Sequence, residues 1–310
     1  MGLSLLLGEQ IITLFLMGVI GFIIVKIGIL KAENSEVLSK LCVYVFSPCV
    51  IVNSFQITYT KSKMAGLGIS FLTALAVQLV FIAAVAVFSK VYRLQQVEKA
   101  SLIYTNCGYL IVPLVAGVLG EEWVFYATAY LIVFQIMVWT HGIALICKGQ
   151  EVSLKKIITN PNIIACIIGL FLFITQIRLP FIAGECIAGF SKMVGPASML
   201  IIGMLIGNIN LQAAFKKSRI YIICAMRLVV LPLIVIGLMK LSGAVGFHPD
   251  GREIMCIILF AASAPAAAAV TQIAQVYGQD AKYAGLINAV SVIFCIITMP
   301  VMVLIYEHVI

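Results

Sequence analysis

Long apolar runs separated by short polar connections dominate the chain. Each run has about 20 residues, the length that an α-helix needs to cross about 30 Å of hydrocarbon. Ten such runs are present, and we interpret them as spans 1 to 10 in chain order, near 8–29, 36–56, 64–88, 98–119, 122–147, 157–177, 188–208, 219–241, 253–277 and 281–306. The pattern predicts an all-α polytopic membrane protein. Because the connections are short, we expect a single membrane domain over 1–310.

Composition supports the membrane assignment. Hydrophobic residues make up 63% of the 310 residues and charged residues only 10%, whereas a soluble domain carries about 25% charged residues. The formal net charge of +8 does not indicate a nucleic-acid partner, because the basic residues are dispersed over short connections. The nine cysteines lie mostly inside apolar runs without paired spacing, which favours neither a disulfide framework nor a zinc site.

The distribution of Lys and Arg predicts the orientation. With the N-terminus outside, 13 basic residues fall on the cytoplasmic side, six fall outside and Arg227 falls within a span. The cytoplasmic set is Lys26, Lys31, Lys40, Lys90, Arg93, Lys99, Lys148, Lys155, Lys156, Lys216, Lys217, Arg219 and Lys282. Since positive residues concentrate in the cytoplasm, we expect a multi-pass protein of the plasma membrane with both termini outside the cytoplasm.

The two halves of the chain, 1–150 and 151–310, resemble each other. Spans 2 and 7 each contain an internal proline, and spans 4 and 9 each begin near a glutamate and end at a glycine, so that Glu98 matches Glu253 and Gly120 matches Gly278. Each half has five spans, an odd number, so the second half must enter the membrane from the opposite side. The sequence therefore predicts a 5+5 inverted repeat, an arrangement typical of secondary transporters.

Spans 4 and 9 contain polar residues and prolines where an unbroken apolar helix is expected. Span 4 carries YTNCGYLIVPLV, with Asn106 and Pro113, and span 9 carries ASAPAAAAVTQ, with Pro265. A proline lacks an N–H and frees carbonyls that cannot face lipid. A single proline is often a simple kink, but a matched pair in inverted halves predicts two broken helices that cross near the middle of the membrane. Their amino-terminal ends would then attract an anion, and their freed carbonyls would attract a cation.

The same residues resemble the auxin efflux carrier family, in its compact bacterial form. In that family's span 4 an asparagine precedes a glycine and a proline, which correspond here to Asn106, Gly108 and Pro113. The segment from Ser263 to Ile305 is similar to the family's spans 9 and 10, and the resemblance covers essentially the whole chain. It implies a scaffold of spans 1, 2, 6 and 7, often dimeric, and a moving transport domain of spans 3–5 and 8–10. It also implies organic-anion substrates, namely auxin in plants and dicarboxylates for bacterial relatives.

Candidate substrate-binding residues cluster around the two breaks. The resemblance places Asn106 and Pro113 at the first break, with the Asn106 amide donating to a carboxylate, and Pro265 at the second. Further polar candidates from the sequence itself are Ser263, Thr271, Gln272, Gln135 and Asn288. Gln135 and Asn288 either line the cavity or join helices to each other. Arg227, inside span 8, either neutralises a substrate carboxylate or extends to the headgroups.

These observations favour a secondary carrier that moves a mono- or dicarboxylate across the membrane by an elevator-type alternating-access mechanism. We expect the lipid bilayer and a second copy of the chain, packed through the scaffold, as partners. No catalytic or phosphate-binding motif is present, so we expect neither enzymatic activity nor a cofactor or metal. Two alternatives stay open: a sodium-coupled symporter like the bile-acid carriers, and a ligand sensor that does not transport.

Overall fold

Helices form all of the regular secondary structure in the residues that the structure describes. The computed structural model describes residues 3–147, 158–207 and 217–310. Lys148, Lys155, Lys156 and Lys216, which enter the orientation argument, lie outside these ranges. The helices are α1 (Leu3–Lys26), α2 (Ala32–Ser54), α3 (Lys61–Tyr92), α4 (Gln96–Ile103), α5 (Cys107–Val118), α6 (Glu121–Ile146), α7 (Pro161–Thr175), α8 (Phe181–Gly207), α9 (Ser218–Ser242), α10 (Gly251–Ser263), α11 (Ala268–Val276) and α12 (Ala281–Val309).

Within the described ranges, seven helices are long and apolar enough to cross a membrane. They correspond to predicted spans 1, 2, 3, 5, 7, 8 and 10. Predicted spans 4 and 9 are each divided into two shorter helices, α4 and α5 in one case and α10 and α11 in the other. Predicted span 6 corresponds to α7, which has 15 residues. The chain is a multi-pass membrane protein, and three of the predicted spans do not form one long helix.

Polar side chains fix several helix starts. The hydroxyl of Thr60 accepts the N–H of Lys63 at the start of α3, and the carboxylate of Asp280 accepts the N–H of Tyr283 at the start of α12. Asn160 accepts the N–H of Asn162 at the start of α7, where Pro161 occupies the first helical position. These are the side-chain caps that the first turn of a helix requires, because its N–H groups have no partner within the helix.

Three helices contain a widened turn with π-type hydrogen bonding. These turns are Cys42–Phe46 in α2, Val138–Gly142 in α6 and Met226–Val230 in α9. In α2 and α9 a proline lies two positions after the turn, Pro48 and Pro232. A proline has no N–H to donate to the preceding turn, which favours a widened turn there.

Helices α1 and α8 pack with their backbones in contact. A Cβ atom on Gly203 would overlap the carbonyl of Gly18 and the amide of Phe22, and one on Gly21 would overlap the carbonyl of Leu200. Small residues at such positions allow close approach of membrane helices. Gly203 and Gly207 therefore pack inside the chain, against α1.

Candidate functional site

The two helix interruptions lie against each other. Tyr104–Asn106 separates α4 from α5, and Ala264–Ala267 separates α10 from α11. The N–H of Asn106 donates to the carbonyl of Pro265 at 2.8 Å, and the N–H of Ala267 donates to the carbonyl of Tyr104 at 3.0 Å. Thr105 and Ala266 form an antiparallel bridge between these bonds. We call this pair of extended segments the crossover.

Pro113 does not mark the first interruption, contrary to the sequence-based prediction. It lies inside the continuous helix α5, whereas the interruption ends at Asn106. The ring of Pro113 instead faces α8, because a Cβ atom on Gly195 would lie 3.0 Å from its Cβ. The backbone groups of residues 104–106 form hydrogen bonds with the second segment in place of helical ones. This tertiary contact therefore determines where the helix stops.

Arg227 binds the carbonyls at the carboxyl ends of α4 and α10. Its guanidinium donates through Nη1 to Leu102 (3.1 Å), through Nη2 to Ala262 (2.8 Å) and through Nε to Ala264 (3.1 Å). The side chain has no exposed surface, and its guanidinium carbon lies 4.9 Å from the ring centre of Phe81. Arg227 therefore supplies the donors that these helix ends need inside the bilayer.

Other side chains satisfy the remaining carbonyls of the crossover. Gln78 donates to Ile103 at 3.4 Å, and the thiol of Cys295 lies 3.7 Å from the carbonyl of Ser263. On α12, Asn288 donates to the carbonyl of Ala266, while the hydroxyl of Ser291 accepts the Ala266 N–H at 3.1 Å. Every carbonyl from 102 to 104 and from 262 to 266 has a donor, so the interruptions are stable in an apolar environment.

The amino-terminal ends of α5 and α11 lack the side-chain caps seen at α3, α7 and α12. Asn106 is the N-cap residue of α5 and makes no side-chain capping bond, and Ala267 is the N-cap residue of α11 and has no polar side chain. The amide nitrogen of Asn106, a residue that is only 3% exposed, has no hydrogen-bond partner among the described residues. Uncapped N–H groups and the partial positive charge of a helix amino terminus attract anions.

Both N-cap residues line one cavity. The cavity has a volume of about 90 Å³. Its walls are formed by Cys42, Val43, Ser47, Asn106, Gly108, Phe134, Gln135, Trp139, Asn160, Asn162, Val194, Ala267, Ala269 and Gln272. The lining residues belong to α2, to the start of α7 and to α8, and also to the crossover, α5, α6 and α11.

A hydrogen bond orients one amide at the cavity wall. The indole N–H of Trp139 donates to the side-chain carbonyl of Gln135 at 3.2 Å. This bond turns the side-chain oxygen of Gln135 towards Trp139, so the NH₂ group is the end oriented to donate to a ligand. Trp139 lies in the widened turn of α6, as Cys42 and Val43 lie in the widened turn of α2.

Four of the ten residues predicted for the site line the cavity, namely Asn106, Gly108, Gln135 and Gln272. The others are Pro113, Ser263, Pro265, Thr271, Asn288 and Arg227, which the cavity does not include. Pro265, Asn288 and Arg227 bond within the crossover or brace it. Ser263 is fully buried in the last turn of α10, and Thr271 is half-buried in α11.

The lining residues from α2 and the start of α7, including Ser47, Asn160 and Asn162, were not predicted from the sequence. The segment TNPN at 159–162 carries the signal of a capped helix start, with an asparagine directly before a proline. That signal locates the start of α7 but does not show that the start faces the crossover. Trp139 was missed because a tryptophan in an apolar span is indistinguishable from a packing residue.

Comparison with known families gives one match. The family model described as "Membrane transport protein" matches residues 6–153 and 145–303, which together cover most of the chain. The two matched segments overlap at 145–153. A comparison with curated proteins gives no match.

Proposed function

The chain belongs to the membrane transport protein family, the family of the auxin efflux carriers, and we propose that it is a secondary carrier of small organic anions. The observation that carries the proposal is the convergence of two uncapped helix amino termini, at Asn106 and Ala267, on one cavity. A carboxylate at this position accepts the free N–H groups of both helices. The unpaired amide of Asn106 and the NH₂ group of Gln135 add two further donors.

The cavity fits a small acid. Its apolar wall, formed in part by Phe134, Val43 and Val194, suits a hydrocarbon portion, while the helix amino termini and the Asn106 amide lie at the crossover. A pocket with few polar groups against an apolar surface fixes the orientation of a ligand. We propose that the carboxylate binds at the crossover and that the rest of the molecule extends towards α2 and α8.

The occupied carbonyls argue against a sodium-coupled symporter of the bile-acid type. Sodium coordination at a broken helix uses the carbonyls that the break frees. Here Arg227 binds three of them, at Leu102, Ala262 and Ala264. We therefore favour an organic-anion carrier without a sodium site at these carbonyls.

The position of the cavity supports an elevator-type mechanism. We propose that the helices form a ten-span 5+5 inverted repeat, with spans 1, 2, 6 and 7 as scaffold and spans 3–5 and 8–10 as transport domain. The cavity lies between α2, α7 and α8 of the proposed scaffold and α5, α6 and α11 of the proposed transport domain. A ligand at the crossover would move with the transport domain past the scaffold wall. Cross-linking Val194→Cys to Ala269→Cys across the cavity should stop transport, and unchanged transport in the cross-linked protein would exclude this movement.

Transport by the purified protein in liposomes tests the proposed function. A panel of labelled mono- and dicarboxylates should include at least one that accumulates in protein-containing vesicles and exchanges with the unlabelled acid. Asn106→Ala should weaken binding of that acid by about 1 to 3 kcal/mol, the effect of removing a hydrogen bond to a charged group. Asn53→Ala, in α2 and away from the cavity, is the matched control. The proposal fails if no acid exchanges, or if Asn106→Ala and Asn53→Ala transport alike.

We further propose that the protein lies in the plasma membrane with both termini outside the cytoplasm. We also propose that it forms a homodimer through its scaffold helices. The excess of Lys and Arg in the connections on one side supports this orientation. In intact cells, with the exposed native thiol removed by Cys186→Ala, an impermeant thiol reagent should label Arg178→Cys from outside and should not label Gln279→Cys. The opposite labelling would reverse the orientation, and a monomeric mass of the purified detergent complex would exclude the dimer.

A further inference from the structure

Arg227 carries a positive charge in a part of the molecule that water does not reach. The side chain is fully buried in α9, and none of the ion pairs of the described residues includes its guanidinium. A buried charge without compensation is very unfavourable. Some other source of negative potential must therefore stabilise it.

The carboxyl ends of α4 and α10 supply that potential. Leu102 lies in the last turn of α4 and Ala262 in the last turn of α10. Ala264 is the first residue after α10. The guanidinium donates to all three carbonyls at 2.8 to 3.1 Å. Each helix carboxyl end is equivalent to about half a negative charge, so the two ends together balance about one positive charge.

We propose that Arg227 is a positioning residue that neutralises the two negative helix ends of the crossover. The positive electrostatic potential of the amino-terminal ends of α5 and α11, which face the cavity, is then not cancelled by the negative ends of α4 and α10 next to them. Arg227 also joins the two halves of the chain, because its three acceptors belong to α4 and to the α10 end. It acts on a ligand through the crossover and has no contact with the cavity.

This charge balance limits the charge of the substrate. The two free amino termini are together equivalent to about one positive charge, which matches one carboxylate. The third helix start at the cavity, at α7, is already capped by Asn160 and adds little. The site therefore fits a monocarboxylate better than a dicarboxylate. This part of the inference rests on the proposed function, whereas the positioning role of Arg227 does not.

The first test measures the crossover without any ligand. Hydrogen exchange of the Asn106 and Ala267 amides, which donate across the crossover, is compared in wild type, Arg227→Lys and Arg227→Met. A lysine keeps the charge but cannot donate to three separated carbonyls. We expect exchange at both amides to accelerate by about tenfold or more in both variants. Lys240→Arg, an exchange of one exposed cation for another on the same helix, should exchange at these two amides as wild type does.

The second test measures charge selectivity with propionate, its uncharged isostere propionamide, and the dicarboxylate succinate. Wild type should bind propionate at least about tenfold more tightly than either of the other two. The preference for propionate over propionamide should survive in Arg227→Lys and should fall by about tenfold or more in Arg227→Met. A residue that only held the fold together would weaken the binding of both ligands equally.

Each outcome decides one part of the inference. Unchanged exchange at Asn106 and Ala267 in Arg227→Lys overturns the positioning role, and this variant decides the question even if Arg227→Met does not fold. An intact preference for propionate in a folded Arg227→Met protein overturns the charge balance, and tighter binding of succinate overturns the monocarboxylate assignment. If wild type binds and transports no organic acid, the proposed function fails while the exchange measurement still decides the role of Arg227.

Discussion

A carboxylate introduced at Ala267 should occupy the anion site from within the chain. Ala267 is the N-cap residue of α11, with φ −69° and ψ 132°, the extended conformation in which an N-cap side chain reaches the first free N–H groups. Ala267 lines the cavity, which offers space for a longer side chain. In Ala267→Asp the new carboxylate would cap α11 and meet the substrate carboxylate at the same helix end.

The size of the effect follows from the separation of the two charges. Two carboxylates bound to one helix end lie about 5 Å apart, and at an effective dielectric constant of about 20 they repel by about 3 kcal/mol. This repulsion corresponds to a loss of affinity of more than about a hundredfold. Ala267→Asn has nearly the same shape and caps the helix without the charge, so its loss should stay within about tenfold. Both variants should keep or raise the unfolding temperature, because a polar N-cap is worth about 1 kcal/mol relative to alanine.

Calorimetric titration of both purified variants with the best transported acid measures this difference. The reasoning would be refuted if Ala267→Asp bound the acid as tightly as Ala267→Asn while remaining folded. That result would place the anion away from the amino terminus of α11. A loss of folding in both variants would instead show that the cavity cannot accept a side chain at this position, and titration of Asn106→Asp would then repeat the test at α5.

Two further predictions concern the packing around the site. Gly203→Ala should lower the thermal unfolding midpoint, because a Cβ there overlaps the backbone of α1 and overpacking costs about 1 to 3 kcal/mol. Gly237→Ala, where the space is open, should leave the midpoint equal to that of wild type or higher. Equal midpoints for the two variants would contradict the contact between α1 and α8. Glu98 is fully buried and accepts from Nη2 of Arg219 at 2.7 Å and from a tyrosine hydroxyl at 2.9 Å. Glu98→Gln should therefore destabilise the protein by about 1 to 3 kcal/mol. Glu36→Gln, in an exposed pair, should leave the unfolding midpoint close to that of wild type, and a similar midpoint for both variants would show that the buried pair adds nothing.

The apolar pattern was sufficient to locate most of the membrane-spanning segments. Spans such as 64–88, which has no charged residue, and 281–306, whose one charged residue is Lys282 at its start, are long and continuous. Helices α3 and α12 occupy them with extensions of a few residues. Inside hydrocarbon, the backbone N–H and C=O groups of such a segment find hydrogen-bond partners only within their own helix. For the same reason composition alone identified a multi-pass membrane protein, and the polar residues in spans 4 and 9 indicated where helices are interrupted.

The exact interruption, the cavity walls and the role of Arg227 required the tertiary structure. Pro113 suggested a break that lies instead at Tyr104–Asn106, because the extended segment is stabilised by pairing with Ala264–Ala267 from the other half of the chain. Arg227 has the same sequence signal whether it binds a substrate, a headgroup or a carbonyl. Only the positions of Leu102, Ala262 and Ala264, distant in sequence but adjacent in space, decide between them. Local sequence determines which groups lack a partner within their own helix, whereas the packing of distant segments determines which groups satisfy them.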